Sequence, residues 1–146
     1  MPSELGPVLF QLLAATHRLS RSAAVRLEHG LSASHYRTLG ILRDIHAMRI
    51  GQLAEQNRIS QPGMTKVVAA LESQMLVERV QDPADSRAWL IEITDAGRES
   101  LMRRGQDLAM VLKEDFINLT TEQIAVLAQA AQILDSLPAA ETGDSK

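Results

Sequence analysis

Between Ser60 and Lys66 the run Ser60-Gln61-Pro62-Gly63-Met64-Thr65-Lys66 brings together two hydroxyls, a carboxamide and an ammonium. Further on, Asp85 and Arg87 stand two apart in Asp82-Pro83-Ala84-Asp85-Ser86-Arg87. These groups donate and accept hydrogen bonds and carry positive charge, which is the chemistry of recognition rather than of bond making. The other candidates for chemistry are His17, His29, His35 and His46, none at the H-x-x-x-H or H-E-x-x-H spacing that places two ligands on one helix face. Cysteine is absent, which excludes a disulfide framework and a thiol redox switch. The sequence has no Gly-rich phosphate loop, no nucleophile elbow and no carboxylate pair framed by a strand pattern. No enzyme activity, metal or cofactor is expected.

The elements that must position the recognition groups are legible around them. Ser60 is an N-cap residue and Pro62 falls in the first helical turn, where its missing N–H has no intrahelical partner to lose. At about 100° per residue, Met64, Val67, Val68 and Leu71 share one face, while Thr65, Lys66, Ala69 and Ser73 lie opposite. That second face is small and polar, so a partner can come close. Before it, Ile50 to Asn57 reads as a short helix with Leu53 and Ala54 inward, followed by a polar turn at Asn57-Arg58. The pair reads as a helix-turn-helix over residues 51–74, or equally as an αα-hairpin that only packs.

The following residues favour the first reading. Leu76 to Val80 and Ala88 to Ile93 are β-rich, and Gln81 to Arg87 between them is turn chemistry. A hairpin over 76–93 beside a helix-turn-helix makes a winged helix, whose tip can deliver a cation to the electronegative minor groove. Arg87 is the candidate, with Asp85 as its tether. Met48-Arg49-Ile50 is expected to add a short strand, because an isolated hairpin is marginal in water.

Together Leu53-Ala54-Glu55, Ile59-Ser60-Gln61-Pro62-Gly63-Met64-Thr65, Leu71-Glu72, Leu76-Val77-Glu78-Arg79, Asp82-Pro83-Ala84-Asp85-Ser86-Arg87 and Ile93-Thr94-Asp95-Ala96-Gly97 resemble the MarR family of transcriptional regulators. The resemblance implies a homodimer that binds double-stranded DNA at an inverted-repeat operator, usually as a repressor, often released by a small aromatic ligand. It implies DNA contacts from Ser60, Gln61, Pro62, Gly63, Thr65, Lys66, Asp85 and Arg87. Three residues depart from the family pattern. Met75 stands where a glycine commonly ends the recognition helix, Ser86 where a second arginine is frequent, and Gly63 where a hydroxyl residue is common.

The flanks supply the dimer. Leu5, Val8, Leu9, Leu12, Ala15, Leu19, Ala23 and Leu27 recur at helical steps over residues 4–28, and Gly30 reads as the C-cap. Leu31 to Tyr36 opens a second helix, with Tyr36, Leu39, Leu42 and Ile45 inward. Thr94 caps a helix from Asp95 to Phe116, in which Leu101, Leu108, Leu112 and Phe116 form a stripe and Gly105 permits a close neighbour. Thr120-Thr121-Glu122-Gln123 is a capping box opening the last helix, which Pro138 closes. The expected fold is therefore mainly α with a small β-wing (α+β). It comprises one domain over 1–138, with a winged helix over 31–94, dimerisation helices over 4–28 and 95–137, and a flexible tail over 139–146.

The chain of 146 residues has a net charge of −3. Residues 1–48 hold five cations against three carboxylates, a net of +2; residues 49–90 hold five of each; residues 91–146 hold five against ten, a net of −5. The acidity thus lies away from the recognition elements, and the neutral winged segment predicts a shallow salt dependence of binding. Aromatic residues make up 3% of the chain, too few for a stacking platform for single strands. No apolar run reaches the roughly 20 residues that span a bilayer, and no signal-type segment opens the chain, so a cytoplasmic protein without membrane contact is expected.

The family resemblance places a ligand between the dimer helices and the winged segment, near His17, Arg18, Arg21, His35 and Tyr36. An arginine beside an aromatic or imidazole ring suits an aromatic carboxylate. Alternatively Arg18 and Arg21 pair with the acidic C-terminal helices. The rival to DNA binding as a whole is a winged helix that contacts another protein through its hairpin.

Overall fold

In the computed structural model, which describes residues 2–27 and 30–137, the elements run α1 (Pro2–Arg26), α2 (Ala33–Ile45), α3 (Ile50–Asn57), α4 (Gln61–Ser73), β1 (Val77–Asp82), β2 (Asp85–Ile93), α5 (Asp95–Leu112), a 3₁₀ turn (Lys113–Phe116) and α6 (Thr121–Asp135). Two compact units divide the chain, Met1–Val111 and Leu112–Lys146. The fold is the expected mainly α winged helix. Pro138 and the tail 139–146 lie outside the described residues.

The core of the first unit forms where the apolar faces of the short elements meet. Leu39 and Leu42 from α2, Leu53 and Ala54 from α3, Met64, Val67, Val68 and Leu71 from α4, and Val77, Ile91 and Ile93 from the hairpin are buried together. The strands pair antiparallel, Val77 opposite Ile93 and Gln81 opposite Trp89, with an irregularity between Gln81 and Asp82. The expected third strand is a single bridge: Met48 N–H donates to the Ile91 carbonyl at 3.1 Å, and the Ile91 N–H returns to Met48 at 2.9 Å.

Several boundaries differ from the sequence reading for physical reasons. The first helix ends at Arg26, two residues short of the expected end, with the Leu27 N–H making a last ladder bond to the Ala23 carbonyl at 3.0 Å, and residues 28 and 29 lie outside the described set. Gly30 is therefore a bend and not a C-cap: its φ is +115°, and a Cβ there would sit 3.1 Å from the Tyr36 hydroxyl. Asn57 is not part of a solvated turn but is buried at the end of α3. It donates to the Leu53 carbonyl at 2.9 Å and meets the buried Thr38 hydroxyl at 3.4 Å. Leu76 is buried before the hairpin begins, as part of the ending of α4. The fifth helix tightens into a 3₁₀ turn at Lys113, where Glu114 and Asp115 oppose the negative C-terminal end of a helix. Gly105 faces open space within the described chain.

Met75 takes the left-handed conformation in place of the usual glycine, with φ at 58°. The cap is complete all the same: Leu76 N–H donates to the Leu71 carbonyl at 3.0 Å and Met75 N–H to Glu72 at 2.9 Å, the two bonds of a Schellman ending. His46 is more strained, with φ 70° and ψ −157°, a region that side chains avoid. Both side chains are exposed. Met75→Gly and His46→Gly are each expected to raise stability by about 1 kcal/mol or more, read as a melting temperature about 3 °C higher. A lower melting temperature for both variants would show that the side chains outweigh the backbone strain.

Candidate nucleic-acid interface

The outer face of α4 begins at a well-formed cap. Ser60 is extended, and its Oγ accepts the Gly63 N–H at 3.2 Å, which leaves the hydroxyl proton to donate outward. Thr65 is arranged the other way: its Oγ1 donates to the Gln61 carbonyl at 3.0 Å, so its lone pairs remain to accept. The face thus offers a donor at Ser60, an acceptor at Thr65 and both at Gln61. Ser60, Gln61, Pro62, Thr65, Lys66 and Ala69 are all exposed, and Gly63 is half-buried. A Cβ at Gly63 would press to 3.1 Å from the Ser60 hydroxyl, which accounts locally for a glycine at that position. No carboxylate among the described residues pairs with Lys66.

The strands of the wing are longer and its tip is shorter than the sequence suggests. Pro83 and Ala84 alone form the tip, because Asp82 Oδ1 accepts the Ala84 N–H at 2.8 Å and closes an Asx turn. Arg87 therefore lies within β2 and not in a loop. Asp85 does not tether its guanidinium; Asp85 Oδ1 accepts the Arg87 backbone N–H at 3.0 Å. The Arg87 side chain is exposed and pairs with no carboxylate among the described residues. Its chain direction is set by strand geometry, on the same face of β2 as Trp89 and Ile91.

Sequence reasoning missed two ion pairs that hold this surface together. Glu72 accepts from Arg79 through both oxygens, at 2.8 and 3.1 Å, and ties the last turn of α4 to β1. Arg49, just before α3, donates to Asp82 Oδ2 from Nε at 2.9 Å and from Nη2 at 2.6 Å. Neither pair has a local sequence signal, since each joins residues from separate elements. The Ala84 amide and the Arg49 guanidinium hold the Asp82 carboxyl below its ordinary range. Because the folded value is depressed, this contribution to stability is complete above the unfolded pKa and is lost as the pH falls through the folded one. Melting curves from pH 6 downward are therefore expected to steepen below about pH 4 in the native chain and to be flatter there in Asp82→Asn. Equal slopes would remove Asp82 from that role.

The five residues proposed to bind a ligand are not gathered in one place. An open cavity of about 540 Å³ is lined by Leu31, Tyr36, Gln74, Leu76, Glu99 and Arg103, among others. Of the five, Tyr36 lines it, and the Arg104 guanidinium lies 4.9 Å from the centre of its ring. His35 hydrogen-bonds through Nδ1 to the Ser32 hydroxyl. His17, Arg18 and Arg21 are exposed on α1 and do not line the cavity. Sequence reasoning missed Arg103, which pairs with Glu99 at 2.9 Å on the cavity wall. No cluster of metal-ligating side chains occurs among the described residues, and no helix of theirs is long and apolar enough to cross a membrane.

Comparison with known proteins agrees with this geometry. Residues 29–88, which contain α2 to α4 and most of the hairpin, match the MarR family. An uncharacterized HTH-type transcriptional regulator of Mycobacterium bovis is 30% identical over 127 residues, covering 86% of this chain and 89% of its own length. Among solved structures, a transcriptional regulator from Thermotoga maritima superposes with a TM-score of 0.66 at 19% identity, over 91% of this chain and 92% of its own. A mutant MarR from E. coli complexed with operator DNA superposes with a TM-score of 0.55 at 21% identity, over 90% and 92%. The exposed second helix, its flanking wing and the relatedness along nearly the whole chain lead to one conclusion: the protein belongs to the MarR family of HTH-type, DNA-binding transcriptional regulators.

Proposed function

We propose that this regulator acts as a homodimeric repressor on an inverted-repeat operator, from which a small aromatic acid releases it. The observation that carries the DNA reading is the exposed outer face of α4, with Lys66 on it and Arg87 on β2, neither paired with a carboxylate among the described residues. In the docking that this arrangement supports, Ser60, Gln61 and Thr65 meet base edges in the major groove from the helix N-terminus, with Pro62 and Gly63 giving close approach. Lys66 neutralises a phosphate, and Arg87 enters the adjacent minor groove, with Asp85 holding its backbone.

The apolar surface of the flanking helices supports the dimer. On α1, Leu5, Val8, Phe10 and Leu13 are exposed, and on α6 so are Ile124, Val126, Leu127 and Ile133. Faces of this kind mark interfaces, and a two-fold pair would present two α4 helices to successive major grooves. For the ligand, Tyr36 offers a ring and Arg103 a guanidinium that can exchange Glu99 for a carboxylate, in a cavity of suitable size.

Selection of duplexes from a random pool tests the reading. Recovered sequences are expected to share an inverted repeat, and sedimentation is expected to show a species of twice 16.0 kDa. Recovery of no common sequence contradicts the regulator reading, and a 16.0 kDa species at micromolar concentration contradicts the dimer.

A further inference from the structure

We infer that Arg49 is a positioning residue for the wing, holding in place the stretch of β2 that carries Arg87 without itself touching DNA; its DNA arm rests on the reading proposed above. The placement of Arg49 is fixed from two sides. Its predecessor Met48 is bridged to Ile91 by two backbone hydrogen bonds, and its own N–H donates to the Gln52 side chain at 3.0 Å at the start of α3. From this anchor the guanidinium reaches across 33 positions of sequence to Asp82, whose side chain is only 9% exposed, and comes within 3.9 Å of Asp85.

The two acids divide their oxygens in the same way. Asp82 gives Oδ2 to Arg49 and Oδ1 to the Ala84 N–H; Asp85 turns Oδ2 toward Arg49 and gives Oδ1 to the Arg87 N–H. One continuous path therefore runs from the first helix of the helix-turn-helix to the backbone of Arg87. Pro83, Ala84, Asp85 and Ser86 are otherwise exposed, and the register breaks between Gln81 and Asp82, so the ladder alone holds the tip weakly. Arg49 also neutralises two carboxylates that would otherwise meet a polyanion. A lysine cannot reproduce this arrangement, because it presents a single point of charge where Arg49 uses Nε and Nη2 together.

Two measurements test the inference. In the free protein, Arg49→Gln and Arg49→Lys are expected to speed amide exchange at Ala84 and Arg87 by about fivefold or more, with exchange in the α4 core unchanged. On a duplex selected by the native chain, Arg49→Gln is expected to weaken binding about tenfold, and to add less than about twofold when Arg87→Ala is already present. Unchanged exchange overturns the inference. So does a full tenfold loss in the Arg87→Ala background, because that result puts Arg49 on the DNA directly. If the native chain selects no duplex, the regulator reading fails, and exchange at Ala84 and Arg87 alone decides the role of Arg49.

Discussion

Gly97→Ala is expected to lower the melting temperature by about 10 °C, equivalent to about 3 kcal/mol, at the upper end of what overpacking one methyl group costs. A Cβ on Gly97 would lie 2.1 Å from the Leu76 carbonyl oxygen and 2.7 Å from Ile93 Cγ1. Neither neighbour can yield easily. The Leu76 carbonyl accepts the Thr94 N–H at 3.1 Å, and Leu76 is also the residue whose N–H completes the Schellman ending of α4. Thr94 in turn accepts the Gly97 N–H at 3.0 Å and donates to the Met75 carbonyl at 2.7 Å, so the end of α4, the start of β1 and the start of α5 share one junction. Moving any one of them moves the others. Gly40→Ala in α2 is the control: nothing lies within 4 Å of its Cβ, and a gain of about 0.5–1 kcal/mol is expected from helix propensity. Equal melting temperatures for the Gly97 variant and the native chain would show that the junction relaxes freely.

Arg87→Ala is expected to weaken operator binding by about 10- to 100-fold, or about 1–3 kcal/mol, with folding unaltered because the side chain is exposed and unpaired among the described residues. The loss is expected to fall mainly on sites whose flanks are A-tract-like, since a narrow minor groove concentrates negative potential around an inserted guanidinium. Lys66→Ala is expected to act differently, weakening all duplexes alike and lowering the salt slope by about one unit. An Arg87 variant that binds every flank as the native chain does would make Arg87 an ordinary surface charge. The contrast between the two variants separates a shape-reading contact from a phosphate contact.

The helices and hairpin were legible because their signals are local. Ser60 before Pro62, the capping box at Thr120 and Gln123, and the three- and four-residue spacing of Met64, Val67, Val68 and Leu71 each act within one or two turns, and all are present in the structure. What escaped the sequence depends on pairs of distant residues. Arg49 and Asp82, or Thr38 and Asn57, look like ordinary polar surface positions until the fold brings them together, and the tether between Asp85 and Arg87 runs through the Arg87 backbone N–H and not through its guanidinium. The tip shortened to Pro83 and Ala84 for a related reason: the Asx turn at Asp82 completes the reversal early, so the strands extend through residues that read as loop. The lining of the open cavity was the least legible, because a cavity wall is assembled from several helices. His17, Arg18 and Arg21 share a helix with suitable spacing, yet Tyr36 is the only one of the five to line the cavity.

As proposed, α4 and the wing are a surface for one particular duplex. A mobility shift with the DNA lying upstream of this gene, titrated beside a random duplex of equal length at fixed salt, tests it most directly. Retention of the upstream DNA at least about a thousandfold tighter than the random duplex is the predicted result. Equal affinity for the two would contradict the claim and leave the wing as a surface for another protein.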